Sequence, residues 1–377
     1  MEDSKMKTKK LMAVLAASVL CLSMASCGDS SSDSTAKSSS SSKSSSSESK
    51  ADSSESKADS SESKADSSES KSDSSEESKG GNDGKVIKVG IINNDPNESG
   101  YRTANDKDMK ATFTPENGYD AKFAYSMKND EQITQAQKFI QDGVDYLLLS
   151  AADTAGWDSV LQDAQKEGVK VILFDRKLDA SEDLYEAAVV SDMDKEGETA
   201  VEWLKGQKLD EYNIIHIQGV MGSSAQKGRS GALLKEAEDS GWNIIISQTA
   251  EWNAEKAQQI VESQIAAGKK PNVIYAENDD MAKGAVAALD KNNISHGVGK
   301  DCIVMGFDCN KWALEELLNK NWNYDGQCNP FQASYINDII KKLENGESLD
   351  EKLIITEEKG FDAETITQED VDKYGIS

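Results

Sequence analysis

Histidine and proline are nearly missing from this chain: two histidines and four prolines stand among 377 residues. With only His216 and His296 to draw on, a multi-histidine metal site or a histidine-activated serine or cysteine nucleophile has little material. His216 lies in the apolar run 213–217, where a histidine satisfied inside the core is expected; His296 sits in a Gly-rich loop and is expected in solvent. Cysteines number five and split by context. Cys21 and Cys27 belong to the N-terminal apolar segment, whereas Cys302, Cys309 and Cys328 belong to the globular part, an odd number that excludes a full disulfide framework. A Cys309–Cys328 bridge and buried free thiols both fit. Positive charge is also short. Lys and Arg total 42 against 68 Asp and Glu, a formal charge of −26, which argues against nucleic-acid binding. It leaves the fold open.

What is present begins with a targeting signal. Three lysines in 6–10 precede a 14-residue apolar stretch, 11–24, the n-region and h-region of a secretory signal and too short for an ordinary membrane span. Glu2 and Asp3 ahead of the lysines point to Met6 as an alternative start. The segment closes on Met24-Ala25-Ser26-Cys27-Gly28, which resembles a bacterial lipobox. That resemblance implies cleavage before Cys27 and lipidation of its thiol, hence an extracytoplasmic protein held on the cell membrane; two or more acyl chains anchor stably where one does not. An ordinary signal peptide with an incidental cysteine is the competing reading. Residues 1–27 are therefore assigned to a lipoprotein signal peptide and 28–84 to a tether. The tether is Ser, Lys, Glu and Asp, with the repeat Glu-Ser-Lys-Ala-Asp-Ser-Ser starting at Glu48, Glu55 and Glu62. A heptad invites a coiled coil, but alanine is its one apolar residue, so the segment has too little to bury and is expected to be disordered. As a flexible coil it spans about 40 Å on average.

The globular part begins near Val86 and is organised around Lys-Val-Ile-Leu-Phe-Asp-Arg, 170–176. Its four apolar residues suit a strand buried on both faces, and the run stops on Asp175 and Arg176. Val273–Ala276 likewise runs into Glu277-Asn278-Asp279-Asp280, and Ile303–Phe307 into Asp308. Ligands of open α/β sheets bind outside the carboxyl ends of the strands, so three such ends predict one convergent polar pocket. Strands at 86–92, 122–125, 146–150, 169–174, 214–218, 244–248, 273–276, 303–307 and 324–327 alternate with helices at 103–114, 129–143, 155–168, 196–205, 225–240, 254–267, 281–291, 312–319 and 331–345. About ten strands exceed one comfortable sheet, which predicts two α/β lobes.

These stretches resemble the sugar-binding proteins of bacterial ABC importers, the ribose/galactose-type periplasmic binding proteins, and among them the galactofuranose binders. The resemblance rests on Glu-Ser-Gly-Tyr-Arg-Thr-Ala (98–104), Gly-Val-Asp (143–145), Ala-Gly-Trp-Asp-Ser-Val-Leu (155–161), Leu-Phe-Asp-Arg (173–176), Gln-Gly-Val-Met-Gly-Ser-Ser (218–224), Glu-Asn-Asp-Asp-Met (277–281) and Gly-Phe-Asp (306–308). It implies a type I architecture: two doubly wound parallel-sheet lobes, 85–190 plus 328–356 and 191–327 plus 357–377, joined by a three-strand hinge. The implied ligand is a monosaccharide, galactofuranose- or galactose-like, held in the interlobe cleft of a monomer and passed to ABC permease subunits. Its implied contacts are Asp175 and Arg176 from the first lobe, Arg229, Asn278 and Asp308 from the second, and Gln327 at the hinge. Trp252 matches the aromatic that packs on the sugar ring. Tyr101 and Arg102 match a Trp-Arg pair of the galactofuranose binders, with Tyr replacing Trp.

The chemistry is coherent on its own terms: carboxylates accept, guanidinium donates in a fixed fork, and Asn or Gln does both, which suits vicinal hydroxyls. Simpler readings exist. Asp175 and Arg176 could be a plain ion pair. Trp157 and Trp203 are expected to be core packing. Asp192-Met193-Asp194-Lys195-Glu196-Gly197 imitates the start of an EF-hand, but Trp203 occupies the place of its bidentate Glu, so a hinge and a capped helix are expected. A glycosidase pair of Asp175 and Asp308 is opposed by the arginine beside Asp175, which lowers the pKa a general acid must have raised. No enzyme, metal or cofactor is expected. A receptor that presents its ligand to a membrane sensor kinase, or a binder of another small polar ligand, is the alternative function.

Overall fold

The computed structural model describes residues 85–377. The signal, the lipobox Cys27 and the tether lie outside the described residues. The strands are β1 (Ile87–Asn93), β2 (Tyr119–Tyr125), β3 (Tyr146–Leu149), β4 (Lys170–Asp175), β5 (Ala187–Val190), β6 (Asn213–Gln218), β7 (Asn243–Thr249), β8 (Val273–Ala276), β9 (Ile303–Phe307), β10 (Tyr324–Gly326), β11 (Leu353–Ile355) and β12 (Gly360–Asp362). The helices are α1 (Gly100–Thr112), α2 (Asn129–Gln141), α3 (Asp158–Lys166), α4 (Met193–Gly206), α5 (Ser224–Ser240), α6 (Ala254–Ala266), α7 (Asp279–Lys291), α8 (Lys311–Leu318), α9 (Ala333–Glu344) and α10 (Gln368–Tyr374).

Two six-stranded sheets form, in the orders β11-β5-β4-β3-β1-β2 and β12-β10-β9-β8-β6-β7. All pairings are parallel except β10 with β12. Each sheet is covered by helices on both faces, which is why β3, β8 and β9 are apolar and buried throughout. The chain passes from the first sheet to the second after β5, returns after β10 when α9 packs on the first sheet, and leaves again between β11 and β12. Three crossings join two α/β lobes.

Several elements depart from the sequence expectation. The first helix starts at Gly100 rather than Thr103, because the Ser99 side chain accepts from Arg102 N and caps it. Tyr101 and Arg102 therefore sit in a helical turn. Strands β5, β11 and β12 are three or four residues long and carry no periodicity of their own; pairing with neighbours alone makes them strands. Asp192 caps α4 by accepting from Lys195 N, as the hinge-and-cap reading expected. Cys302, Cys309 and Cys328 are separate buried thiols. His216 is fully buried between Ser247 and Glu277, each at 2.9 Å.

Trp157 belongs to the core of the first lobe, fully buried beside Val160, Leu161 and Ala164, with its indole N–H donated to Asp153 O at 3.0 Å. Trp203 packs its ring on Tyr324 at 5.1 Å. We expect Trp157→Ala to lower unfolding stability by about 3–5 kcal/mol. Chemical denaturation of the variant and parent measures this directly.

Candidate functional site

The carboxyl ends of β4, β8 and β9 face one another across the gap between the sheets. The cavity they enclose is lined by Glu98, Ser99, Tyr101, Arg102, Asp175, Arg176, Met193, Ala225, Arg229, Trp252, Asn278, Asp308 and Cys328, with about 300 Å³ of atom-free space. The lobes touch across its mouth. Gly100 N donates to Asp280 at 3.2 Å, Thr154 N to Gly222 O at 3.2 Å, and Lys227 to Asp179 at 2.8 Å.

Eight of the nine sequence-predicted contacts line this cavity: Tyr101, Arg102, Asp175, Arg176, Arg229, Trp252, Asn278 and Asp308. Gln327 does not. It lines a second cavity behind the hinge, and its neighbour Cys328 lines the cleft instead, because successive residues of an extended segment point to opposite sides. Sequence reasoning also passed over Glu98, two residues before α1 begins, and Cys328. The signal for Glu98 was its place just ahead of the Ser99 cap; alternation with Gln327 was the signal for Cys328.

Three of these residues hold positive φ: Asp175 at 64°, Trp252 at 65° and Asp308 at 109°. Non-glycine residues in such conformations cost about 1–3 kcal/mol each and gather at functional sites. Two are aspartates at strand ends, the residue type that tolerates the left-handed region best. Trp252 is 3 % exposed, and its ring covers Gly219, where an added Cβ would lie 1.8 Å from the indole. Only glycine lets the ring settle there.

Asp175 is fully engaged. It accepts from Tyr101 Oη at 2.8 Å on one oxygen, and from Arg102 Nη2 at 2.8 Å and Ser150 Oγ at 2.7 Å on the other. Burial raises its pKa, but Arg102, Arg176 and the Ser150 bond together outweigh that and hold it below the usual carboxylate value. Arg229 is equally committed: it bonds Glu196 through Nε at 2.7 Å, donates to Glu277 O, lies 3.5 Å from Asp308, and stacks 4.6 Å from the Phe307 ring centroid. Asn278 caps α7 by accepting from Met281 N at 2.9 Å, which leaves its amide N–H groups as donors. Burial, with Asp325, Asp280 and Asp175 nearby, drives Asp308 well above its ordinary value despite Arg229.

Arg176 is different. It is 4 % exposed, yet of its five donors one makes a hydrogen bond, Nη1 to Ala151 O at 3.1 Å. Arg176 Nε, Glu98 Oε2, Arg102 Nε and the Trp252 indole N–H make no hydrogen bond, although Arg176 Nε lies 3.5 Å from Asp175 and Arg102 Nε 3.9 Å from Glu98 Oε2. Buried polar atoms are normally satisfied, so four without a hydrogen bond around one cavity set this region apart. Three arginines face three acids, Glu98, Asp175 and Asp308, across this cavity.

Comparison with known proteins places these features. The family described as periplasmic binding protein domain matches residues 89–348. The fructose import binding protein of Bifidobacterium longum is 30 % identical over 292 residues, covering 75 % of this chain and 87 % of that protein. Among solved structures, a galactofuranose binding protein superimposes with a TM-score of 0.71 at 27 % identity, covering 76 % of this chain and 98 % of the other. The arabinose transporter component of Shewanella sp. ANA-3, bound to L-arabinofuranose, gives 0.70 at 26 % identity, with 76 % and 95 % covered.

The raised Asp308 has a stability consequence whose sign is definite. Folding favours its protonated form, so its contribution is full below the ordinary carboxylate range and falls as pH rises towards the folded value. Asp308→Asn should therefore raise the thermal midpoint of the ligand-free protein at pH 8, with the gain shrinking towards pH 4. Melting curves across that range check it.

Proposed function

This chain belongs to the periplasmic binding protein family, and we propose that it captures a monosaccharide in the cleft between its lobes and delivers it to an ABC importer. The family makes it a solute-binding protein rather than an enzyme. The opposed shifts of Asp175 and Asp308 have the outward form of an acid and base pair, but both follow from burial and neighbours and need no substrate.

The observation that carries the reading is Arg176: buried, with one hydrogen bond made, beside three further polar atoms without hydrogen bonds in the cleft between the lobes. A neutral polyol, whose hydroxyls both donate and accept, satisfies the arginine donors and the carboxylate acceptors alike. Charge-assisted hydrogen bonds contribute about 1.5–3 kcal/mol each, so three or four of them support micromolar binding or better. Tyr101, Arg102, Asp175, Arg176, Arg229, Trp252, Asn278 and Asp308 are the proposed ligand contacts, with Glu98 added. The relatives' ligands, galactofuranose, L-arabinofuranose and fructose, favour a sugar in the furanose form.

The lobes of this proposal comprise 85–190 plus 328–356 and 191–327 plus 357–377. Ligand binding favours the form in which they meet, and that form docks on the permease. A lipid on Cys27 and the 28–84 tether hold a monomer on the outer side of the cell membrane. Presentation of the same ligand to a sensor kinase remains the second reading of the partner.

Calorimetric titration with galactofuranose-type sugars, galactose, arabinose, ribose, xylose and fructose tests the ligand class. Micromolar binding of one is expected. No heat from any, with nothing released on denaturation, overturns the sugar assignment. Arg176→Ala should weaken binding at least about 150-fold, two lost charge-assisted bonds, with little change in stability. Arg229→Ala should behave otherwise: it strands Glu196 in the interior and costs about 3–5 kcal/mol of stability.

A further inference from the structure

Behind the cleft, the three crossings converge on acidic and thiol groups that sugar binding does not use. Glu358, in the third crossing, accepts through Oε1 from Ser191 Oγ of the first at 2.6 Å and from Asn329 N of the second at 2.8 Å. One oxygen thus braces all three. Nearby lie Glu196, in the first turn of α4, and Cys328 of the second crossing; ligand atoms of Glu196, Cys328 and Glu358 all fall within 4.8 Å of one another.

The arrangement is incomplete as it stands. The Glu196 side chain is 3 % exposed, and Arg229 bonds its Oε2. Its Oε1 has no partner at all. The missing sugar does not explain this orphan, because Glu196 lines the hinge cavity and not the cleft. The hinge cavity has a volume of about 440 Å³ and opens to solvent, so small solutes have a way in. Two lysines line it, but Lys359 stacks on Phe361 and Tyr374 and pairs with Asp370, while Lys195 pairs with Glu198. Neither reaches Glu196.

We propose that Glu196, Cys328 and Glu358 form a site for a divalent cation of borderline softness, zinc being the representative ion. One sulfur and two carboxylates are a donor set for zinc rather than calcium or magnesium, which take oxygen alone. Three protein ligands leave a fourth position for water. Charge closes as well: two carboxylates and a thiolate are balanced by the cation and Arg229, and the thiol proton leaves to solvent as sulfur binds. Filled tetrahedra have ligand separations of about 3.4–3.8 Å from zinc–oxygen and zinc–sulfur bond lengths, so the side chains close by about 1 Å. A bound ion would tie α4 to two of the three crossings. It would also act on the cleft, since Glu196 holds Arg229 and Cys328 lines the cleft.

The test is a cobalt(II) titration of the full chain in detergent, stripped with chelator and kept reduced, with zinc(II) as competitor. One equivalent of cobalt should produce a thiolate charge-transfer band, which zinc abolishes. Cys328→Ser should lose the band, and Glu358→Gln should bind cobalt at least about tenfold more weakly. Absence of the band, or its persistence in Cys328→Ser through the other thiols, overturns the proposal. If Cys328→Ser does not fold, unchanged cobalt affinity in Glu358→Gln overturns it instead.

Discussion

The bond from Arg102 to Asp175, 2.8 Å long and almost wholly buried, is the interaction the cleft depends on. Taking a carboxylate and a guanidinium out of water costs several kcal/mol per ion, recovered only if the remaining donors and acceptors are filled. The surroundings do this on one side. Ser150 and Tyr101 complete Asp175, while Asn93 accepts from Arg102 Nη1 at 2.7 Å. Asn93 in turn is held by Asn105, which donates to Gln332 and Pro330 at 2.8 Å each. The web therefore runs from the end of β1 through α1 to the second crossing. Its one unfilled edge is the cavity.

The second lobe solves the same problem with different residues. Asp308 ends β9 as Asp175 ends β4, and the two sheets share one strand order. In place of a local arginine, the second lobe brings Arg229 from α5, pinned by Glu196 and by the face of Phe307. The consequence is a division of labour among three guanidinium groups of equal charge. Arg102 and Arg229 spend most donors on protein, which makes them fixed walls. Arg176 makes a single hydrogen bond, to Ala151 O, and otherwise only longer ion pairs with Asp175 and Glu98.

Much of this was legible in the residues. Strands buried on both faces announce themselves as apolar runs, and the polar residues that interrupt them at Asp175, Asn278 and Asp308 locate the pocket. What stayed hidden depends on partners far along the chain. Strands β5 and β11 exist through pairing with each other and with β4, and no local pattern shows that. Gln327 was assigned to the cleft from a resemblance in position, but a shift of one residue in an extended segment reverses the side it faces. Glu98 was missed because a carboxylate beside a helix cap reads as ordinary first-turn chemistry until Arg102 and Arg176 are seen about it at 3.9 Å.

The triple crossing bears on how the molecule comes into being. The first sheet takes its edge strand β11 from 353–355, and the second takes β12 from 360–362. Neither sheet is whole until nearly the last residue has been synthesised. A half-length chain contains no complete lobe, only sheets with an open edge and α9 absent from the core it covers. Such a chain buries only part of either core, so each lobe gains its full stability when the C-terminal strands arrive.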